Sequence, residues 1–472
     1  MRTTTADIAL KLLIPTALLI VVAFLLSTGL LQIPQYYILA GVSLTAILAI
    51  SFLSPEIGLY ILILSMLLSP EILVGEVGGR GTLSRGITLR LDDILIAVIA
   101  LSYFARTTLD KDLGLFRRTP LNKPIILYGS IIIFSTIWGF MNGRVEAKSG
   151  FFFTLKLIEY FFIYFMAVNI IRDRNQVRNL IMVLIVTCIL VSVYGIAQIP
   201  AGGRVTAPFE GAHPEPNTFG GYLVFMLSLI LSIGLTHDDR WVRRGMLVFT
   251  IITIPILFSL SRSSMIALAA MYLALLAFSP RRTGLILGLI VLVLLGPTVI
   301  PEKVQERVTY TWDQPYSRHP LQVEMFGILL DTSTSQRVTS YVRAGRDWLK
   351  HPVFGTGVTG YRFLDAQFPR VLVETGMIGF GAFLWLLVSI FRVGYRTFRE
   401  AKSPLFRGIG LGLTVGIFTL AAHGLGTNTF IIIRIMEPFW LTTGIVVRLL
   451  GIEAEEEERA ALMPSPSVPD LA

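Results

Sequence analysis

Apolar runs long enough to cross a bilayer recur along almost the whole of this 472-residue chain. A spanning helix needs about 20 consecutive apolar residues. Such stretches, some of them short, occur at 12–31, 36–53, 57–74, 92–105, 124–141, 152–171, 179–198, 218–236, 245–260, 264–279, 283–300, 371–391, 407–425 and 432–450. A soluble core cannot absorb them: 54% of the residues are hydrophobic, only 15% are charged, and the mean hydropathy is +0.70. The expected fold is all-α, a polytopic helical membrane protein with about 12–14 transmembrane helices. One large extracytoplasmic loop, 301–370, is expected to carry short amphipathic helices.

The first run is too long for a signal peptide, lacks a small-x-small cleavage site and is followed at once by another span, so it is expected to be retained. Cys188 is the only cysteine, which excludes a disulfide framework and a cysteine metal site. A net charge of +9 would suggest nucleic acid in a soluble protein. Here the positive residues sit mainly in loops between spans, as in the positive-inside pattern, so membrane lipid and not nucleic acid is the expected partner.

The basic loops at 106–123, 172–178, 238–244, 279–282 and 392–407 alternate with poorer ones if both termini are cytoplasmic. The loops at 142–150, 199–217 and 301–370 then lie outside a cytoplasmic (inner) membrane. The last of these holds Arg307, Arg318, Arg337, Arg343, Arg346, Lys350, Arg362 and Arg370. On a helical wheel for 337–350, Val338, Tyr341, Val342, Gly345 and Leu349 form one stripe and Arg343, Arg346 and Lys350 the opposite face. Such a helix lies along the membrane surface, ended by Pro352 and the glycines at 355 and 357. Arg337 sits at the stripe's edge beside Tyr341, where it needs a partner anion; the three on the basic face are explained by headgroup attraction or solvation.

Two more outer elements carry chemistry. Arg262 breaks a long apolar stretch in "FSLSRSSMIALAA", and a charge at mid-bilayer costs roughly 2.5–3.5 kcal/mol, so the position reads as a tight outer turn. There it is either a snorkelling turn residue or an anion ligand. The loop "GGRVTAPFEGAHPEPNTFGGYL" (202–223) carries Arg204, His213 and Asn217 before a helix expected to start at Thr218 or Phe219, with Asn217 as its N-cap or as part of an anion site. Asp92 and Asp93 fit the dipole of an outer helix start, and Lys156 and Glu159 fit a pair within one helix. No metal motif is present in the sequence.

Taken in order, these pieces resemble the O-antigen ligase and O-antigen polymerase superfamily of bacterial envelope glycan enzymes. "SRSSMIALAA" is similar to that family's Ser-Arg-small turn leading into an apolar helix. Arg337, fifteen residues before Pro352, then Gly355, Gly357 and "GYRF", resembles its Arg…Pro…Gly-x-Gly element. "VETGMIGFGAFLWLL" (373–387) resembles its Leu-x-Glu-x-Gly helix start, and "HGLGTNTF" (423–430) its last outer turn. The likeness covers roughly residues 200–450. One departure stands out: a His-Asn pair that many members place nine residues before the matching Glu is Asp365-Ala366 here.

The resemblance implies metal-independent, cofactor-free glycosyl transfer at the outer face, from a polyprenyl-diphosphate-linked oligosaccharide to a glycan or lipid-linked glycan acceptor. Arg262 and Arg337 would hold the diphosphate, since guanidinium grips phosphate oxygens in pairs and stays charged. Arg204, His213, Asn217, Tyr341, Gly357 and Tyr361 would line the substrate site. The base for the acceptor hydroxyl is open among Asp365, His213 and His319, while His423 reads as a polar helix partner. A flippase or transporter of lipid-linked glycans is the rival class, though neither an internal repeat nor a larger midplane charge cluster is evident. The segment 451–472 is expected to be a disordered acidic cytoplasmic tail whose removal leaves activity intact.

Overall fold

The computed structural model describes residues 35–70, 72–75, 87–109, 117–210, 214–237, 239–299, 301–310, 322–325 and 328–462. The apolar run at 12–31, His213 and His319 therefore lie outside the described residues. Among the described residues fifteen α-helices run in the order α1 Gln35–Leu53, α2 Pro55–Leu68, α3 Leu91–Leu109, α4 Asn122–Met141, α5 Ala147–Ile170, α6 Arg174–Gln198, α7 Pro216–Thr236, α8 Asp239–Phe258, α9 Arg262–Phe278, α10 Arg282–Val299, α11 Glu302–Thr309, α12 Thr332–Trp348, α13 Gln367–Glu400, α14 Pro404–His423 and α15 Ile433–Leu462. Two short antiparallel ribbons, β1 Ile72–Gly75 with β2 Ile87–Leu89 and β3 Glu324–Met325 with β4 Ile328–Leu329, are the described strands. The architecture is that of an all-α polytopic membrane protein.

Among the described residues seven helices, α4 to α7 and α13 to α15, are long and apolar enough to cross a membrane, and Gly41–Leu53, α2 and α9 are shorter apolar helices. The sequence runs overstate some spans for local reasons. The run at 57–74 stops being helical at Leu68, and its last residues pair as a strand.

Side-chain caps set several helix starts. Ser54, Asp173, Ser261 and Asp331 each accept a first-turn N–H, and Pro55, Pro216 and Pro404 occupy first-turn positions where no N–H is missed. The most deeply buried span is α7, with 89% of its apolar window inside the molecule. Glycines at 408, 412 and 416, one turn apart on α14, allow its closest neighbour α7 to approach. A Cβ on Gly412 would stand 2.8 Å from the Leu229 Cα, so the two backbones meet where side chains would normally hold them apart.

Charge sorts the two ends of the bundle. Arg117 pairs with Glu455 at 3.3 Å, Arg174 with Glu456 at 2.9 Å and Lys402 with Glu457 at 2.7 Å. Glu453 accepts from the backbone N–H groups of Lys402 and Ser403 at 3.0 and 2.8 Å. Three basic loops and the end of α15 thus meet at one end, and Thr236 reaching the Pro404 carbonyl at 3.1 Å adds the end of α7.

This corrects the expectation for 451–462, which continue α15 to Leu462 because their glutamates answer the basic loops. Truncation after Gly451 is accordingly expected to lower the thermal midpoint of the purified protein by about 3 °C. Because exposed ion pairs are weak and screened, the difference from full length should shrink in 1 M salt. An unchanged midpoint at low salt would show that these pairs contribute nothing.

Candidate functional site: an arginine cluster at the far end of the bundle

Opposite the basic-loop end, the α8–α9 turn is held in a conformation that costs energy. Leu260 has φ +51°, a left-handed setting that a branched side chain resists. Arg204 fastens it by donating Nε to the Ser259 carbonyl at 2.9 Å and Nη2 to the Leu260 carbonyl at 3.4 Å. Arg307, from α11, adds its Nε on the same Leu260 carbonyl at 3.4 Å. Ser261 then caps α9, so Arg262 is that helix's first residue.

The guanidinium of Arg262 reaches α12. Its Nη1 donates to Asp331 Oδ1 at 2.7 Å and to Thr334 Oγ1 at 2.9 Å. Asp331 is 1% exposed and caps α12 through the amides of Ser333 and Thr334. Arg262 Nε and Nη2 are buried with no hydrogen-bond partner among the described residues. A guanidinium half satisfied by protein and half unsatisfied is set up for an anion.

Arg337 projects from the next turn of α12 and meets Asp365, Nη2 to Oδ2 3.8 Å. Asp365 also accepts from Thr427 Oγ1 at 3.1 Å, and Tyr341 donates to the Leu425 carbonyl at 2.8 Å. The α14–α15 loop therefore closes this side of the cluster. Burial, then the charges of Arg307, Arg262 and Arg337, pushes Arg204 down to about 10. Arg307 is likewise pulled below its ordinary value, by burial first and then by Arg262. Four arginines thus share one electrostatic neighbourhood with two carboxylates, which leaves a net positive field there.

Burial alone would raise the Asp331 carboxyl, but hydrogen bonds from Arg262 and Thr334 outweigh it and hold the group below its ordinary value. A depressed carboxyl contributes stability above its unfolded value, near ~3.9, and loses it as pH falls through the lower folded value. Acidification from pH 5 to pH 3 should therefore lower the melting temperature of wild type more than that of Asp331→Asn. Equal losses would show that the pair plays no part in acid stability.

Of the residues expected in the site, the structure gathers Arg204, Arg262, Arg337, Tyr341 and Asp365. Asn217 stands beneath them but is not the N-cap: α7 starts at Pro216 with Glu215 as its cap residue, and the Asn217 side chain accepts from Ser261 Oγ at 2.7 Å. Ser261 is drawn on by Ser264 Oγ at 2.8 Å, and His423 faces Ser264 Oγ at 3.3 Å and Thr429 Oγ1 at 2.8 Å, so this histidine is a buried polar link between helices.

Gly357 and Tyr361 lie apart from the cluster. Residues 352–360 form a wedge against α4 and α13, where Gly376 (φ +67°) breaks the α13 helix. The break frees carbonyls that the wedge uses: the amides of Thr356 and Gly357 donate to Val373 and Glu374 at 2.9 Å each. Gly357, with φ +88°, is needed because a Cβ would stand 2.9 Å from the Ser135 carbonyl oxygen. Tyr361 instead donates to Asp347 at 2.6 Å. Val342 on α12 and Leu349 just past its end, both of the apolar stripe, stay exposed, while Ala344 packs on Leu364 and Val373.

Sequence reasoning named Arg307 only as one loop arginine and missed Asp331 and Thr334. The pattern Asp-Thr-Ser-Thr before a helix is a capping signal that would have started α12 at Thr332. A second polar group also went unseen: Lys156 pairs with Asp93 as well as with Glu159, and the adjacent Asp92 is buried against Arg90 at 3.3 Å and Ser69 Oγ at 2.8 Å. Asp92 and Asp93 thus have side-chain partners beyond the helix dipole. Compared with known proteins, the chain matches no family model and no curated protein.

Proposed function

We propose that the arginine cluster binds the diphosphate of a polyprenyl-linked glycan and that the protein transfers that glycan to a hydroxyl on a glycan or lipid-linked glycan acceptor. The supporting observation is the half-satisfied guanidinium of Arg262, which reaches Thr334, one turn before Arg337 on α12. In the transfer, the acceptor oxygen forms a bond to the anomeric carbon as the bond from that carbon to the diphosphate breaks. Charge then grows on the leaving diphosphate, where fixed guanidinium groups are most effective. The acceptor proton passes to a base.

Among the described carboxylates Asp365 is the one exposed beside Arg337, its side chain 38% accessible. Its role is to orient Arg337 or to take the acceptor's proton. The cluster is assigned to the outer face of a cytoplasmic (inner) membrane, with both termini cytoplasmic, from the basic loops gathered at the opposite end.

The test is an assay of the purified full-length protein with a polyprenyl-diphosphate oligosaccharide and an acceptor. A ladder of products identifies a polymerase, and a single transfer product a ligase. Movement of the donor across liposomes with no new glycosidic bond would replace the transferase with a transporter.

A further inference from the structure

A second group of charges, sharing no residue with the arginine cluster, forms where α5 packs against both α3 and α15. Asp92 and Asp93 come from the first turn of α3, Lys156 and Glu159 from α5, and Glu437 from the start of α15. Arg90 pairs with Asp92 at 3.3 Å, and Lys156 serves both Asp93 and Glu159. Arg434, one turn before Glu437, donates to the carbonyls of Leu67, Pro208 and Phe209 at 3.0, 2.8 and 3.0 Å. Four carboxyls thus stand against the two cations paired with them.

Glu437 is 0% exposed, and no donor reaches either of its oxygens among the described residues. Its charged neighbours are Asp92, Arg90 and Glu159. The hydroxyl of the adjoining Tyr160 is taken up by the Ile431 carbonyl at 2.8 Å. Within hydrogen-bonding range of Glu437 is the Asp92 carboxyl, whose Oδ2 also lacks a hydrogen bond among the described residues. Two carboxylates offer only acceptors and repel each other; one proton turns the pair into an O–H donor facing an acceptor. Charged groups at such depth are strongly disfavoured unless paired, and chains of carboxyls there are the usual build of a proton relay. No three carboxylates, histidines or cysteines converge as metal ligands among the described residues, so a proton is the species that fits. The side chains of Lys156, Asp93 and Glu159 are 23%, 10% and 12% exposed, so this half of the group touches the surroundings while Glu437 does not.

We propose that Asp92 and Glu437 hold one exchangeable proton between them, a proton-binding site inside the bundle that Glu159, Lys156 and Asp93 connect to the surroundings. The proton moves between solvent, Glu159 and the buried pair, and no other bond changes. The site does not rest on the transfer reading above.

The experiment is infrared spectroscopy of the purified full-length protein in lipid nanodiscs at neutral pH, in H2O and after transfer to D2O. A protonated carboxyl gives a C=O stretching band that carboxylates lack, and the band shifts when deuterium replaces the proton. Wild type is expected to show this band and to shift it within minutes. Glu437→Gln, which keeps the shape and supplies its own donor, should lose the band. Glu159→Gln should keep the band and slow its shift about a hundredfold, the usual loss when a proton-transferring side chain is removed. No such band in wild type, or the same band in Glu437→Gln, would overturn the site. A wild-type band that never shifts would overturn the exchange, and wild-type exchange in Glu159→Gln would overturn the route. A band that appears only after sodium is withdrawn would give the pair to a monovalent cation instead.

Discussion

Arg337→Ala and Arg262→Ala are each expected to slow glycan transfer from a polyprenyl-diphosphate donor by about a hundredfold or more, corresponding to roughly 3 kcal/mol of lost transition-state stabilisation. In the proposed transfer the two would act on one leaving group from two sides, one from the start of α9 and the other from α12. Their losses should therefore be far from additive in the double variant. Arg337→Lys should restore only part of the rate, because an ammonium keeps the charge but not the two-pronged grip. Arg343→Ala serves as control: it removes an exposed arginine from the same helix and should leave the rate within about twofold. Steady-state rates of the five variants, the double one included, in one assay decide this. Equal losses for Arg343 and Arg337 would mean that general surface charge, and not the cluster, supports the reaction.

Asp331→Ala is expected to destabilise the protein by about 3–5 kcal/mol, the usual consequence of leaving a buried charge without its partner. The carboxylate has two duties, ion pair to Arg262 at 2.7 Å and cap of α12. Asparagine caps nearly as well as aspartate. Asp331→Asn should thus lose the ion pair and keep the cap, placing its stability between wild type and alanine. Denaturant unfolding in detergent, followed by a probe on α12 and a second on α7, measures both quantities. A loss under about 1 kcal/mol for the alanine variant would show that Arg262 is not held through Asp331.

How much of this was legible in the sequence depends on the distance over which each feature is decided. The spans were readable because hydropathy is a property of each segment alone, and the basic loops because charge is too. The turn at Arg262 was readable because a lone arginine between apolar runs has few places to go. The wedge was not: Gly355 and Gly357 looked like the end of a helix, and Gly357 like part of the substrate site, but their positive φ serves close contact with α13 and α4, segments remote in the chain.

Asn217 looked like a cap because it precedes a helical run, whereas Pro216 starts the helix and the side chain is claimed by Ser261 on another helix. The acidic tail looked disordered by composition, and three basic loops fold its first twelve residues into α15.

The most direct measurement is a cryo-EM structure of the full-length protein in lipid nanodiscs with a polyprenyl-diphosphate oligosaccharide bound. Glycan transfer by this cluster requires the diphosphate to lie between the guanidinium groups of Arg262 and Arg337, with oxygens within hydrogen-bond distance of both. A diphosphate bound anywhere else, above all at the basic-loop end beside Arg174 and Lys402, would contradict it.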